Sequence, residues 1–211
     1  MAFKIDLHVH SKYSEDNTAD PEEMVIRAID MGLDAIAFTE HYYYEASEPA
    51  EGLKERYSGR ISIFRGVEYS SAEGHCLIFG LDTDRLALNY APVEDIIKAV
   101  NKSGGVVIPS HPYRTGSSMG DTLLRINGIC ALEGHNGCNM RLYNSRAVET
   151  ARMLNLPYTG GSDAHSAGEV GSCYTVFQDT ATDDNLIELL KNGNYQGIDV
   201  RKSALPFMKT G

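Results

Sequence analysis

Short apolar runs, several of them continuous rather than alternating with polar residues, are spaced along the chain with helix-like segments between them. They are Phe3–Val9, Ala35–Thr39, Ile61–Glu68, His75–Gly80, Val106–Ser110, Ile129–Glu133, Pro157–Gly160 and Cys173–Phe177. A strand wetted on one face alternates, whereas a continuous run is covered on both faces. Between the runs, Asp20-Pro21-Glu22-Glu23 supplies an N-cap, a proline at the first helical position and a capping-box glutamate. That helix should reach about Met31 and stop at Gly32. Pro92–Ser103 is a second helix, Arg141–Leu154 a third with Tyr143, Ala147, Ala151 and Leu154 on one stripe, and Asp183–Lys191 a fourth. Strand–helix alternation implies parallel strands and right-handed crossovers. The chain therefore reads as α/β, closing as a small β/α barrel that 211 residues leave irregular or incomplete. A doubly wound open sheet is the alternative. No repeat, low-complexity tract or linker interrupts residues 1–211, which read as a single domain.

Composition excludes several classes. No apolar run approaches the roughly 18 residues of a membrane span, and MAFKIDLHVH lacks the character of a signal peptide, so a cytoplasmic location is expected. The formal net charge is −10 and no basic run is present, which argues against long nucleic acids but not against a phosphate substrate. Bound divalent ions would reverse the charge locally. Cys76, Cys130, Cys138 and Cys173 form no C-x-x-C pair and are read as buried thiols.

The histidines carry the functional signal. His8 and His10 lie two residues apart on one strand and so share a face. His41 follows AIAFTE, Glu68 closes ISIFRGVE, His111 follows VVIPS, and Asp163 and His165 follow TGGS. In a parallel barrel such strand ends gather at one rim. His75 is the exception, standing at the beginning of its run. Any one of these residues is more often structural, but strand end after strand end offering His, Asp or Glu points to a metal centre.

The stretches DLHVHSKYSED, FTEH, GVEYS with its trailing GHCLIFG, PSHPYR and GGSDAHS resemble, in order and across residues 6–168, the PHP (polymerase and histidinol phosphatase) family of metal-dependent phosphoesterases. The resemblance implies a distorted, incomplete TIM-like (β/α)7 barrel with two or three divalent transition-metal ions at the strand ends. It implies that His8, His10, Glu68 and Asp163 hold one ion, and that Glu68, His75 and His111 hold a second. The third would take His41, His165 and a carboxylate of the first loop. Here the family's S-D-G is replaced by Ser14-Glu15-Asp16-Asn17, which makes Asp16 the expected ligand and Glu15 the alternative.

Imidazole and carboxylate ligands suit zinc, manganese or iron better than calcium. Such ions generate a hydroxide nucleophile at neutral pH and clamp phosphoryl oxygens. Glu68, Asp163 and His165 are the expected catalytic residues, with His165 a candidate proton donor. Arg114 and Arg141, ahead of Arg65 and Lys12, are candidates to pair with a small phosphorylated substrate, most simply a monoester. Glu133 and His135 should face the same rim in supporting roles. Gly116-Ser117-Ser118-Met119-Gly120 matches a nucleophile-elbow pattern but lacks the preceding strand that motif needs. Competing readings are an amidohydrolase-like enzyme acting on C–N or C–O bonds, a nuclease or exonuclease on short oligonucleotides, and a module in which metal only stabilises the fold.

Overall fold

The computed structural model of the chain describes residues 2–81 and 90–201. Phe3–Val9 forms β1, and its last five residues are all buried, as a continuous apolar run requires. On one side it pairs in parallel with β2 (Ala35–Phe38), which pairs in parallel with β3 (Ser62–Arg65). On the other side stand β9 (Cys173–Phe177) and β10 (Tyr195–Asp199), each antiparallel to its neighbour. A second sheet joins β4 (Val67–Ser70), β5 (His75–Phe79) and β6 (Val106–Pro109) in antiparallel order, and a third is the parallel pair β7 (Leu132–Asn136) and β8 (Tyr158–Gly161).

The fold is α/β, but the uniformly parallel ladder expected from the alternation is not what forms. The strands make three sheets, neither one closed barrel ladder nor one doubly wound sheet. Short seams stitch the sheets together. His10 N–H donates to the Ala164 carbonyl at 3.0 Å and Asp163 N–H to the His8 carbonyl at 2.7 Å. Glu68 N–H donates to the Glu40 carbonyl at 3.0 Å, and Cys130 N–H to the Val107 carbonyl at 3.2 Å.

The reversed direction of β5 accounts for His75. Ser70, at the end of β4, is paired with His75, and Cys76 with Pro109 at the end of β6. The beginning of an antiparallel strand lies beside the ends of its neighbours, so His75 reaches the same rim as the other candidates.

Two strands differ from their expected spans by more than a single residue at an end. Ile61–Glu68 is broken at Gly66, where the chain leaves the first sheet for the second. A Cβ at Gly66 would stand 2.6 Å from the Phe79 ring, so only glycine lets the chain pass there. Glu68 is therefore the second residue of a new strand rather than the end of an old one. The expected strand Ile129–Glu133 lies instead at Leu132–Asn136, fixed by its pairing with β8.

The helices follow their local signals. In α1 (Pro21–Asp30) the Asp20 carboxylate caps Glu22 N–H at 2.9 Å, and Gly32 turns the chain at φ +69°. α2 (Glu51–Arg56), after a 3-10 turn at Tyr44–Ala50, was not legible, since Leu53 is its one buried residue. α3 spans Val93–Lys102 and α4 spans Arg141–Met153, with Ala147 and Ala151 buried as the stripe predicts. α5 (Leu186–Asn192) starts later than expected, because Asp183 lies outside the helix, paired with Lys54 at 3.3 Å. All four thiols are free, but Cys138 is exposed, contrary to the expectation of burial. Among the described residues no helix is long and apolar enough to cross a membrane.

Gly161 marks the tightest approach of β8 to β1: a Cβ there would lie 2.4 Å from His8 Cβ. Gly161→Ala should destabilise the protein by about 1–3 kcal/mol through overpacking and displace His8. Denaturant unfolding combined with metal titration checks both effects, and wild-type values for each would show that the approach is not constraining.

Candidate metal centre

His8 on β1 and His10 just beyond its end project into a fully buried cluster. Their Nε2 atoms are 3.0 Å apart. Glu68 Oε2 lies 3.4 and 3.3 Å from them, and Asp163 Oδ1 lies at the same two distances. Four ligand-type atoms thus face one another with no apolar group between. A tetrahedron with edges of this length has its centre about 2 Å from each corner, the roughly 2.0–2.1 Å of a zinc–imidazole bond. The donor set fits a divalent ion.

Glu68 serves two groups at once. Oε2 also lies 3.2 Å from His41 Nδ1, while Oε1 stands 2.8 Å from His111 Nε2 and 3.4 Å from His75 Nδ1. His75 Nδ1 is buried and makes no hydrogen bond, as an atom with a missing ligand would. Glu68, His75 and His111 form the second group, and His10, His41 and His165 a third. The third is shared by Asp16, whose Oδ2 is 3.2 Å from His41 Nε2 and 3.4 Å from His165 Nε2. Asp16, rather than Glu15, meets these rings.

Other carboxylates hold the ligands in place. Glu133 accepts from His111 N–H at 2.7 Å and from Asn136 Nδ2 at 2.9 Å, and its Oε1 is 2.8 Å from His8 Nδ1. It therefore fixes the tautomer and aim of His8 without entering the cluster. Glu40 went unnoticed in the sequence, although it stands beside His41 in FTEH. It accepts from Ser11 and Ser14 hydroxyls, both at 2.5 Å, and Ser14 Oγ contacts His10 Nδ1 at 3.3 Å. His135 does not face the cluster: it packs edge-on against the Tyr158 ring at 5.6 Å.

The two arginine candidates separate. Arg114 lines the open cleft above the cluster, about 190 Å3 in volume, together with Asp16, His75 and His165. It pairs with Asp163 Oδ2, leaving Oδ1 to the histidines, and donates to Asn139 and Asn136 at 3.0 Å each. Arg141 does not reach the cleft, because its guanidinium is turned to the Arg201 carbonyl. Lys12 pairs with Asp20, and Arg65 with Glu51. The Gly116–Gly120 segment is a loop with no strand leading into it, so no nucleophile elbow forms.

Electrostatics follow from this crowding. Burial pulls His8 and His10 down, but neighbouring carboxylates win. Asp163, Glu133 and Glu68 hold His8 well above the ordinary imidazole value, and Asp163 and Glu68 push His10 up to about 9. Burial raises Glu68 and Asp163, yet the histidines hold both well below the usual carboxylate range. Burial and the nearby His10 lower His41 to about 4.

Residues 141–195 match a family model described as PHP-associated. An uncharacterized protein of Methanocaldococcus jannaschii is 27% identical over 52% of this chain and 68% of its own length. The PolC-type DNA polymerase III of Thermotoga maritima is 31% identical over 51% of this chain, but over only 9% of the polymerase. These matches support membership of the PHP family. Two solved structures share its fold. One is a two-domain Bacteroides vulgatus protein containing a predicted PHP-like metal-dependent phosphoesterase (TM-score 0.76, 21% identity, 94% of this chain and 65% of that one). The other is the lesion-specific endonuclease Q of Pyrococcus furiosus (TM-score 0.71, 17% identity, 93% and 58%).

Two outcomes are expected. Glu133→Gln should weaken metal binding by roughly 10–100-fold, read by competition with a chelator; unchanged affinity would remove Glu133 from its aiming role. Metal uptake at pH 7 should release protons, and affinity should fall as the pH drops below about 9, because His10 binds metal only when deprotonated. In the metal-free protein the His10 contribution to stability is complete below about 6.5 and is lost as pH rises through about 9. The Glu68 and Asp163 contributions are present above about 4 and are lost on further acidification. Calorimetry in buffers of different ionisation enthalpy tests the proton release, and none detected would refute it.

Proposed function

We propose that the protein is a metal-dependent phosphoesterase acting on a small phosphate ester, most simply a monoester, at a site of two or three divalent ions. The observation that carries this reading is the Glu68 carboxylate, whose two oxygens belong to separate groups of histidines. A carboxylate placed in this way would hold two ions side by side, the arrangement that suits in-line displacement at phosphorus. His8, His10, Glu68 and Asp163 would hold the first ion, Glu68, His75 and His111 the second, and His41, His165 and Asp16 a third. Zinc, manganese and iron match these donors. Bound there, such ions neutralise charge on the phosphoryl and leaving oxygens and lower the pKa of water.

The remaining roles fall to the chain itself. Arg114, held in place by Asn136, Asn139 and Asp163, presents its guanidinium at the cleft to a phosphate oxygen. Asp163 orients Arg114 with one oxygen and the histidines with the other. His165, a third exposed at the cleft, stands where a proton can pass to the leaving oxygen. Residues 1–211 are read as one PHP-type unit, and the backbone seams between its three sheets support reading them as arcs of a distorted (β/α)7 barrel.

Phosphate release from a panel of monoesters and diesters tests the reading, with metal-free protein reloaded with manganese or zinc. Wild type should turn over monoesters, and Asp163→Asn should lose more than about 100-fold, since supporting partners alone are worth roughly 10–100-fold. Silence across the monoesters with metal confirmed in the protein would overturn it. Cleavage of short oligonucleotides instead would favour the nuclease reading, which the fold shared with endonuclease Q keeps in view.

A further inference from the structure

A second hollow adjoins the metal cleft. It has a volume of about 240 Å3 and is lined by Ser70–His75, Tyr90, Ser117 and Ser118. His75 and Ser117 line both spaces, so the hollow opens directly beside the position a reacting phosphate would take.

Its walls are firmly built. Tyr90 N–H donates to the Ser70 carbonyl at 2.8 Å, Ala72 N–H to the Ala91 carbonyl at 3.0 Å, and His75 N–H to the Ser117 carbonyl at 3.2 Å. The Glu73 carboxylate accepts from Val93 N–H at 2.8 Å through Oε2. Gly74 passes so close to the opposite loop that a Cβ would meet Met119 N at 2.7 Å.

The mouth is aromatic. Tyr42 and Tyr90 both hold φ at +67°, a left-handed conformation that bulky residues rarely adopt. The Tyr42 ring lies 5.7 Å from the ring of His41. Backbone strain held at a cleft is a mark of function rather than of folding. Tyr90 remains 65% exposed, with area available to a ligand.

We propose that this hollow is the leaving-group subsite and takes the furanose or pyranose ring of a phosphate ester; the position of the phosphate rests on the phosphoesterase reading above. The chemistry of the walls selects that class. The Ser117 and Ser118 hydroxyls can donate to or accept from ring hydroxyls and the Glu73 carboxylate can accept from them, while the Tyr90 face covers the C–H face of a ring. Glu73 repels a second phosphate, and among the described residues no lysine or arginine lines the hollow to offset it.

The test compares ribose 5-phosphate, adenosine 5′-monophosphate and glycerol 3-phosphate. Binding to the metal-free protein is measured by calorimetry, and phosphate release by the reloaded protein, for wild type, Tyr90→Phe, Tyr90→Ala and Glu73→Gln. The ring-bearing esters should be preferred over glycerol 3-phosphate in wild type. Tyr90→Phe should keep that preference, and Tyr90→Ala and Glu73→Gln should reduce it roughly three- to tenfold, the scale of one aromatic or hydrogen-bonding contact. Equal affinity of the ribose and adenosine esters assigns the hollow to the sugar alone, and tighter adenosine binding assigns it to a nucleoside. Turnover of every monoester without ring preference, or a preference untouched by Tyr90→Ala and Glu73→Gln, overturns the subsite and leaves the phosphoesterase reading standing. Ring preference in binding that Tyr90→Ala reduces, with no phosphate released from any ester, upholds the hollow as a ring-binding site and overturns both the phosphoesterase reading and the leaving-group role.

Discussion

A single buried carboxylate sets the terms for this molecule. Glu68 is 1% exposed and touches the imidazoles of His8, His10, His41, His75 and His111. Taking a carboxylate out of water costs several kcal/mol unless partners repay it, so Glu68 is tenable only where cationic groups converge. The surrounding fold can be understood as the means of convergence. The break at Gly66 turns the chain into a new strand, the reversed β5 brings His75 to the rim, and the seam between β1 and the segment after β8 sets Asp163 against His8 and His10. Outside the cluster, Glu40, Glu133 and Asn136 hold ligands whose own positions would otherwise be only loosely determined.

The charge of the molecule makes sense in the same terms. A chain of net charge −10 is a poor surface for an anion taken as a whole. The cleft is different, since Arg114 and the donor atoms of the cluster concentrate positive charge, their own or that of bound ions, at one place. Under the proposed phosphoesterase reading, an acidic exterior with a locally cationic cleft would favour small anions that enter one at a time over long polyanions that must lie along the surface.

Much of this was legible in the residues, and the failures have physical causes. Strand ends were readable because a ligand at the rim interrupts an apolar run in a way that packing does not require. His75 was visible as a candidate but not as a rim residue, because strand direction is set by long-range pairing and leaves no local mark. The Gly66 break was hidden for a similar reason: the Phe79 ring that demands a glycine there comes from another strand. α2 carries too few buried residues for its periodicity to show. β10 is a short, polar-rich strand whose place depends on Gly197 fitting against the Thr159 carbonyl, 2.3 Å from where a Cβ would be. Arg114 and Arg141 were indistinguishable as letters, and only the three-dimensional positions of Asp163 and the Arg201 carbonyl separate them.

The cluster draws its members from residue 8 to residue 165, and the two ends meet through the hydrogen bonds between His8 and Asp163 and between His10 and Ala164. Contacts this far apart in the chain close a large loop and form late in folding. His8 and His10 therefore wait until residue 163 has been made before their carboxylate partner Asp163 exists. Until then His8 and His10 lack one of the two carboxylates that complete their four-residue group. The completed centre is a clasp, and capture of metal by it marks the moment at which the two ends of the fold have found each other.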